Sequence, residues 1–286
     1  MKMKFGSIAV VSLIVLLLTG CTTIKVEESH FLYPDKKITM QDIQSVNATA
    51  KTQEVTLTTD EGTRLKGTLI KVADARATVI YFGGNQFRVS AAGGEPAKLL
   101  LPFQVNILMM DHRGYGLSSG VPSVANLQAD ALQVFDYVKG RSDLNTLPVV
   151  IHGHSLGSMI AGYLASQRNV DALVLEGSVT NVEQMTAARI PWFAKPFVSV
   201  EFSEEIKQVD NLKALQVYQA PLLIITGEKD TQTPPELAKS LYQYAKSQQK
   251  QIYIAKGKHH SNALTGKQLA THYEQLLKQI TLSKSS

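Results

Sequence analysis

The chain has 286 residues, 44% hydrophobic, 19% charged and 7% aromatic, which is ample to bury a core without disulfide or metal staples. A single cysteine excludes a disulfide framework and any cysteine-rich zinc or iron–sulfur site. The formal charge of +5 falls to +3 once Lys2 and Lys4 are set aside with an expected leader, too mild a balance to suggest nucleic acid.

The first four residues carry two lysines, and residues 8–18 form an apolar run broken only by Ser12. A bilayer span needs about 20 apolar residues, so this run suits a signal-peptide core better. Leu18-Thr19-Gly20-Cys21 follows at once and resembles a bacterial lipobox, whose cysteine thiol is acylated with diacylglycerol before cleavage in front of it. The resemblance implies a signal peptide over 1–20, lipidation at Cys21 and an exported, membrane-anchored lipoprotein of a bacterial cell envelope. The alternative is an uncleaved anchor with an incidental cysteine, and either one holds the rest of the chain at a membrane surface. Residues 21–53 are polar and without a sustained period. They read as a tether, in which Phe31-Leu32-Tyr33-Pro34 is a candidate to dock on the domain.

Residues 54–59 and 64–72 alternate around Asp60-Glu61-Gly62-Thr63, the pattern of an antiparallel hairpin. Short apolar runs follow at 77–82, 105–110, 148–152, 172–176, 221–226 and 251–255, apolar on both faces as in a covered parallel sheet. Between them lie helix-period stretches. Ser123 can cap a helix with Val124, Leu127, Ala131, Val134, Phe135 and Val138 on one face. Thr233 and Pro234 open another, and Leu269, Tyr273, Leu276, Leu277 and Ile280 mark the last. This order predicts one three-layer α/β domain over 54–282, a mostly parallel sheet preceded by an antiparallel hairpin. Ligands of such sheets bind at the carboxyl ends of the strands.

At one such end, Val149-Val150-Ile151-His152 leads into Gly153-His154-Ser155-Leu156-Gly157 and then a small-residue helix start. Strand, G-x-S-x-G and helix make a sharp turn that exposes the serine hydroxyl, and the glycines let strand and helix pass closely. The Leu156 amide points to where an oxyanion forms. With Phe82-Gly83-Gly84-Asn85 and Asp111-His112-Arg113-Gly114-Tyr115-Gly116, the chain resembles α/β-hydrolase-fold serine hydrolases of the branch with an H-G-N oxyanion strand and a D-Y-R-G-Y-G loop. The likeness runs over about 31–280. Gly83 stands where that branch has histidine, and His112 where it has tyrosine.

The resemblance implies Ser155 as nucleophile, then an acid and a histidine in that order. His259-His260 follows the last strand, and the G-x-G-H-N-D register favours His260 over its neighbour His259. Gly227-Glu228-Lys229-Asp230 fits the G-x-x-D turn, giving Asp230 as the orienting acid, with Glu228 as the alternative. By the same resemblance the oxyanion donors are the amides of Asn85 and Leu156, while Asp111 and Arg113 brace the loop. His152 and His154 read as packed, hydrogen-bonded residues. About forty residues between the strands ending near 176 and starting near 221 imply a helical lid at about 178–215, most apolar at 190–198.

The expected chemistry is hydrolysis of carboxylic ester or related acyl bonds through an acyl-enzyme, with no metal or organic cofactor. The expected partners are a small acyl-ester or acyl-amide substrate and the membrane, with no nucleic acid, for a monomeric chain. A peptidase or thioesterase of the same fold, or a non-catalytic binding lipoprotein on this scaffold, are the alternatives.

Overall fold

The computed structural model describes residues 22–34 and 50–283. The predicted signal peptide and the lipidation candidate Cys21 lie outside the described residues. Among the described residues no helix is long and apolar enough to cross a membrane.

Among the described residues ten strands run in chain order: β1 Thr22–Val26, β2 Lys51–Thr58, β3 Arg64–Lys71, β4 Ala77–Phe82, β5 Val105–Met110, β6 Val149–His154, β7 Ala172–Glu176, β8 Val198–Phe202, β9 Leu222–Gly227 and β10 Lys250–Ala255. Eight of them form one sheet in the order β10-β9-β7-β6-β4-β5-β3-β2. The β2–β3 and β3–β5 pairs are antiparallel and the rest are parallel. The predicted hairpin and parallel strands are present, with the first strand starting at Lys51, inside the stretch read as tether.

Every residue of β4, β5, β7 and β9 is buried, because helices cover both faces. Alternate residues serve opposite cores. Ile80, Phe82, Ile151 and Leu173 join one cluster, and Val79, Tyr81, Val150 and Val174 the other. The α-helices among the described residues are α1 Val89–Ala92, α2 Gly94–Leu100, α3 Val124–Gly140, α4 Leu156–Gln167, α5 Val182–Arg189, α6 Glu204–Lys207, α7 Asn211–Val217, α8 Pro235–Tyr244 and α9 Leu269–Ser283. Helix α3 starts as predicted, the Ser123 hydroxyl accepting the Asn126 amide at 3.1 Å. Helix α8 does not open at Thr233. Pro234 is extended, with ψ 146°, and the helix begins one residue later because Thr233 is bonded to Asp230 instead.

Residues 22–34 are more than a polar tether. β1 pairs in parallel with β8 of the lid, Thr22 opposite Val198 and Phe202 opposite Val26. A two-stranded ribbon is marginal alone. This one rests on a small core of Val124, Val182, Ile206 and Val209, against which Val26, Phe31, Met159 and Phe202 pack. Leu32 is buried in the main core, so the Phe31–Tyr33 stretch does dock on the domain.

Strand β4 lies between β5 and β6, and consecutive connections leave it in opposite directions. The crevice at such a reversal opens at the carboxyl ends of the strands. There β4 ends in Gly83-Gly84-Asn85 and β6 in Gly153-His154-Ser155, with Phe82 paired to Gly153. A Cβ on Gly157 would stand 2.0 Å from the Phe82 carbonyl oxygen, and one on Gly153 2.3 Å from the Gly157 oxygen. Strand and helix touch through backbone alone. Gly157→Ala is therefore expected to lower stability by about 1–3 kcal/mol in urea unfolding; a neutral effect would mean the helix is free to move away.

Candidate active site

Ser155 occupies the turn between β6 and α4 with φ 53° and ψ −115°, a left-handed conformation that a side chain rarely adopts. The turn is fixed from two sides. The Ser155 amide donates to the Glu176 carbonyl at 2.9 Å, and the Ser158 hydroxyl donates to the Ser155 carbonyl at 2.5 Å. The Ser155 Oγ is left 2.9 Å from His260 Nε2.

The other ring nitrogen of His260, Nδ1, donates to Asp230 Oδ2 at 2.8 Å. The Thr233 hydroxyl donates to the same oxygen at 2.7 Å. Asp230 Oδ1 accepts the amides of Gln232 and Thr233, both at 2.8 Å. Four donors thus converge on one buried carboxylate. Burial alone would raise the Asp230 pKa, but the His260 and Thr233 bonds outweigh it and hold the carboxyl below the usual carboxylate range. Ser155 and His260, 105 residues apart, and His260 and Asp230, 30 apart, are thereby brought into one hydrogen-bonded line.

The competing residues stand elsewhere. His259 is exposed, and its amide donates to Asn262. The Glu228 carboxylate accepts the Gly257 amide at 2.8 Å and braces that turn. His154 packs on the His260 ring, with centroids 5.1 Å apart, and its Nε2 donates to the His260 carbonyl at 3.1 Å. Burial depresses the His154 pKa and keeps the ring neutral. His152 is fully buried, 3.3 Å from Glu176. Both flanking histidines are packed and hydrogen-bonded, as the sequence suggested.

Gly83 and His112, the two positions at which the chain differs from the motifs it resembles, meet in space. His112 Nε2 donates to the Gly83 carbonyl at 2.8 Å, and its ring stacks on Phe82. A Cβ at Gly83 would stand 2.1 Å from the Phe87 ring, so no side chain fits there while Phe87 is in place. Burial lowers the His112 pKa, which keeps the ring neutral. Below it, Asp111 accepts the amides of Val89 and Leu117, and Arg113 makes two bonds to the buried Asp130 at 2.9 and 2.7 Å. These are bracing contacts, away from the serine.

Asn85 has a second occupation that sequence reasoning missed. Its Oδ1 accepts the Tyr33 amide at 3.0 Å and the Tyr115 hydroxyl at 2.8 Å, and its Nδ2 donates to the Phe31 carbonyl. Burial pushes the Tyr115 hydroxyl up to about 12, so it stays a donor. The Asn85 side chain clips the N-terminal segment over the site. A chamber of about 190 Å³ results, in which Ser155, His260, Asn85 and Leu156 meet His30, Phe31 and Tyr33 from that segment and Met185 and Arg189 from the lid. Phe31, Leu156 and Met159 also line an adjoining apolar pocket with Val124, Ile160 and Val182. The only sequence signal for this wall was the apolar Phe31-Leu32-Tyr33 inside a polar stretch.

Comparison with known proteins agrees with the α/β-hydrolase fold. The family described as Hydrolase_4: Serine aminopeptidase, S33 matches residues 74–205. The chain is 31% identical over 246 residues to the protein YfhR of Escherichia coli O157:H7, covering 82% of this chain and 81% of that one. It is 32% identical over 191 residues to the lysophosphatidylserine lipase ABHD12 of Macaca fascicularis, covering 61% of this chain and 46% of that protein. The esterase Pf2001 of Pyrococcus furiosus superposes with a TM-score of 0.70 at 19% identity, over 87% of this chain and 99% of that chain.

The depressed Asp230 pKa carries a pH signature. Its stabilising contribution is complete above the unfolded value of about 3.9 and is lost as pH falls through the folded value. Urea unfolding should find Asp230→Asn less stable than wild type at neutral pH by about 1.5–3 kcal/mol, a gap that narrows in acid below about pH 4. A gap unchanged by acid would contradict an ionised Asp230.

Proposed function

This chain belongs to the α/β-hydrolase family, and from that premise we propose that it is a serine hydrolase of carboxylic esters, held at a bacterial cell envelope by lipid on Cys21. The observation that carries the reading is the line Ser155 Oγ, His260, Asp230, with contacts of 2.9 and 2.8 Å. A serine hydroxyl becomes a competent nucleophile when a positioned base takes its proton, and that base needs an anionic partner.

In this reading Ser155 Oγ attacks the substrate carbonyl while His260 Nε2 accepts its proton. The imidazolium that forms is stabilised by Asp230, whose other donors keep it ionised and aimed at Nδ1. The carbonyl oxygen gains charge facing the amides of Leu156 and Asn85, which lie on the chamber wall. Collapse expels the alcohol, which takes its proton from His260. Water then attacks the acyl-serine through the same base and releases the acid. Phe31, Leu156 and Met159 give the chamber an apolar wall that suits the acyl group, and the lipase activity named for the ABHD12 relative supports an acyl ester as the substrate.

His112 acts here as a positioning residue. By holding the Gly83 carbonyl it sets the direction of the following peptides, including the Asn85 amide.

With p-nitrophenyl esters, Ser155→Ala and His260→Ala are each expected to lower kcat by about 10⁴-fold or more and to abolish fluorophosphonate labelling. A folded wild type that hydrolyses no ester and takes no label would favour a binding lipoprotein, and preferential cleavage of aminoacyl amides would favour a peptidase. His112→Phe keeps the ring but loses the bond to Gly83. It should reduce kcat about tenfold with little change in KM, less than the 10²–10³ lost with an oxyanion donor; an equal loss in KM alone would place His112 outside the oxyanion support.

A further inference from the structure

Between α5 and β8 the lid makes a turn, Pro191-Trp192-Phe193-Ala194-Lys195-Pro196-Phe197, whose aromatic residues face outward. Trp192 is 82% exposed, Phe193 63% and Phe197 46%. The turn is ordered by its own backbone, with Ala194 N donating to Pro191 O at 2.9 Å and Phe197 N to Ala194 O at 3.0 Å. Trp192 and Phe193 meet edge to face at 6.0 Å, away from the small core under the lid. Three large rings held outward on a hydrogen-bonded turn, with an exposed lysine among them, need a covering surface.

The β1–β8 ribbon indicates what that surface is. The two strands are parallel, and Thr22 stands opposite Val198. The chain entering β1 therefore arrives at the Phe197 end of the ribbon, and the residue before Thr22 is Cys21. One residue of strand is about 3.3 Å and the gap between paired strands about 4.8 Å. Thr22, the first described residue, and the aromatic turn are close neighbours. If Cys21 is acylated, or if the apolar run at 8–18 is retained as an anchor, the bilayer is delivered to this same end.

We propose that the 192–197 turn is a bilayer-docking surface, with Trp192, Phe193 and Phe197 entering the boundary between headgroups and acyl chains and Lys195 extending to the phosphates. Aromatic rings beside a lysine are the side chains that such an interface favours. The proposal rests on the membrane-tether part of the function proposed above. It also narrows the substrate. Helix α5, which immediately precedes the turn, lines the serine chamber with Met185 and Arg189, so the site faces an acyl ester resident in the lipid leaflet.

Trp192 is the only tryptophan in the chain, so its emission reports this turn alone. The full-length protein made in cells is reconstituted in phosphatidylethanolamine–phosphatidylglycerol vesicles, some containing brominated phospholipid. Trp192 emission is expected to shift to the blue, to be quenched by bromine in the acyl chains and to be shielded from aqueous acrylamide. Phe193→Ser with Phe197→Ser should weaken all three effects and slow hydrolysis of an ester embedded in the vesicles, while hydrolysis of a soluble ester and palmitate incorporation stay unchanged. Vesicle-bound, palmitate-labelled protein whose Trp192 remains open to acrylamide and blind to bromine would overturn the docking surface and leave the anchor standing. Protein that takes up no palmitate and does not sediment with vesicles would overturn the tether and the docking surface together.

Discussion

The site depends on one constraint, the reversal of the chain at Ser155. A left-handed backbone at a residue with a side chain costs on the order of 1–3 kcal/mol and persists only where its surroundings over-determine it. Here they do. Gly153 and Gly157 bring strand and helix into backbone contact, Glu176 of the neighbouring strand holds the serine amide, and Ser158 holds its carbonyl. Because β6 neighbours β4 in the sheet, the same turn sets the hydroxyl beside the Gly83-Gly84-Asn85 loop. The proposed nucleophile and oxyanion wall are therefore positioned by sheet register.

The second organising element is the carboxylate of Asp230. A buried anion is tolerated only when its lone pairs are filled, and four donors fill them. Three belong to the short turn Asp230-Thr231-Gln232-Thr233, so the anion is aimed before His260 arrives. That turn is also where α8 loses its first residue: Thr233, read from sequence as a helix opener, is held by the acid. The same loop receives the lid, because the Arg189 guanidinium donates to the Gln232 carbonyl at 2.9 and 3.2 Å.

Much of this was legible along the chain. The parallel sheet declared itself through runs apolar on both faces, and Ser155, Asp230 and His260 each follow such a run, where the strand order converges. The choice of His260 over His259 came from register within one loop, and the structure puts His260, not His259, against Ser155. What could not be read is what joins segments distant in sequence. β1 and β8 carry no alternation strong enough to mark a two-stranded parallel ribbon, and each is stable only against the small core that the other helps complete. The Asn85 side chain was invisible in its clip role because its partners, Phe31 and Tyr33, sit in a stretch read as tether. Gly83 and His112 looked like two separate departures, yet a 2.8 Å bond joins them across the loop.

The central claim, that Ser155 is the nucleophile and faces two backbone donors, is tested most directly by a crystal structure of the protein after reaction with a fluorophosphonate. Phosphorus is expected on Ser155 Oγ, with its phosphoryl oxygen within hydrogen-bond reach of the Leu156 and Asn85 amides and His260 still on Asp230. Phosphorus on any other residue, or a phosphoryl oxygen turned away from both amides, would contradict it.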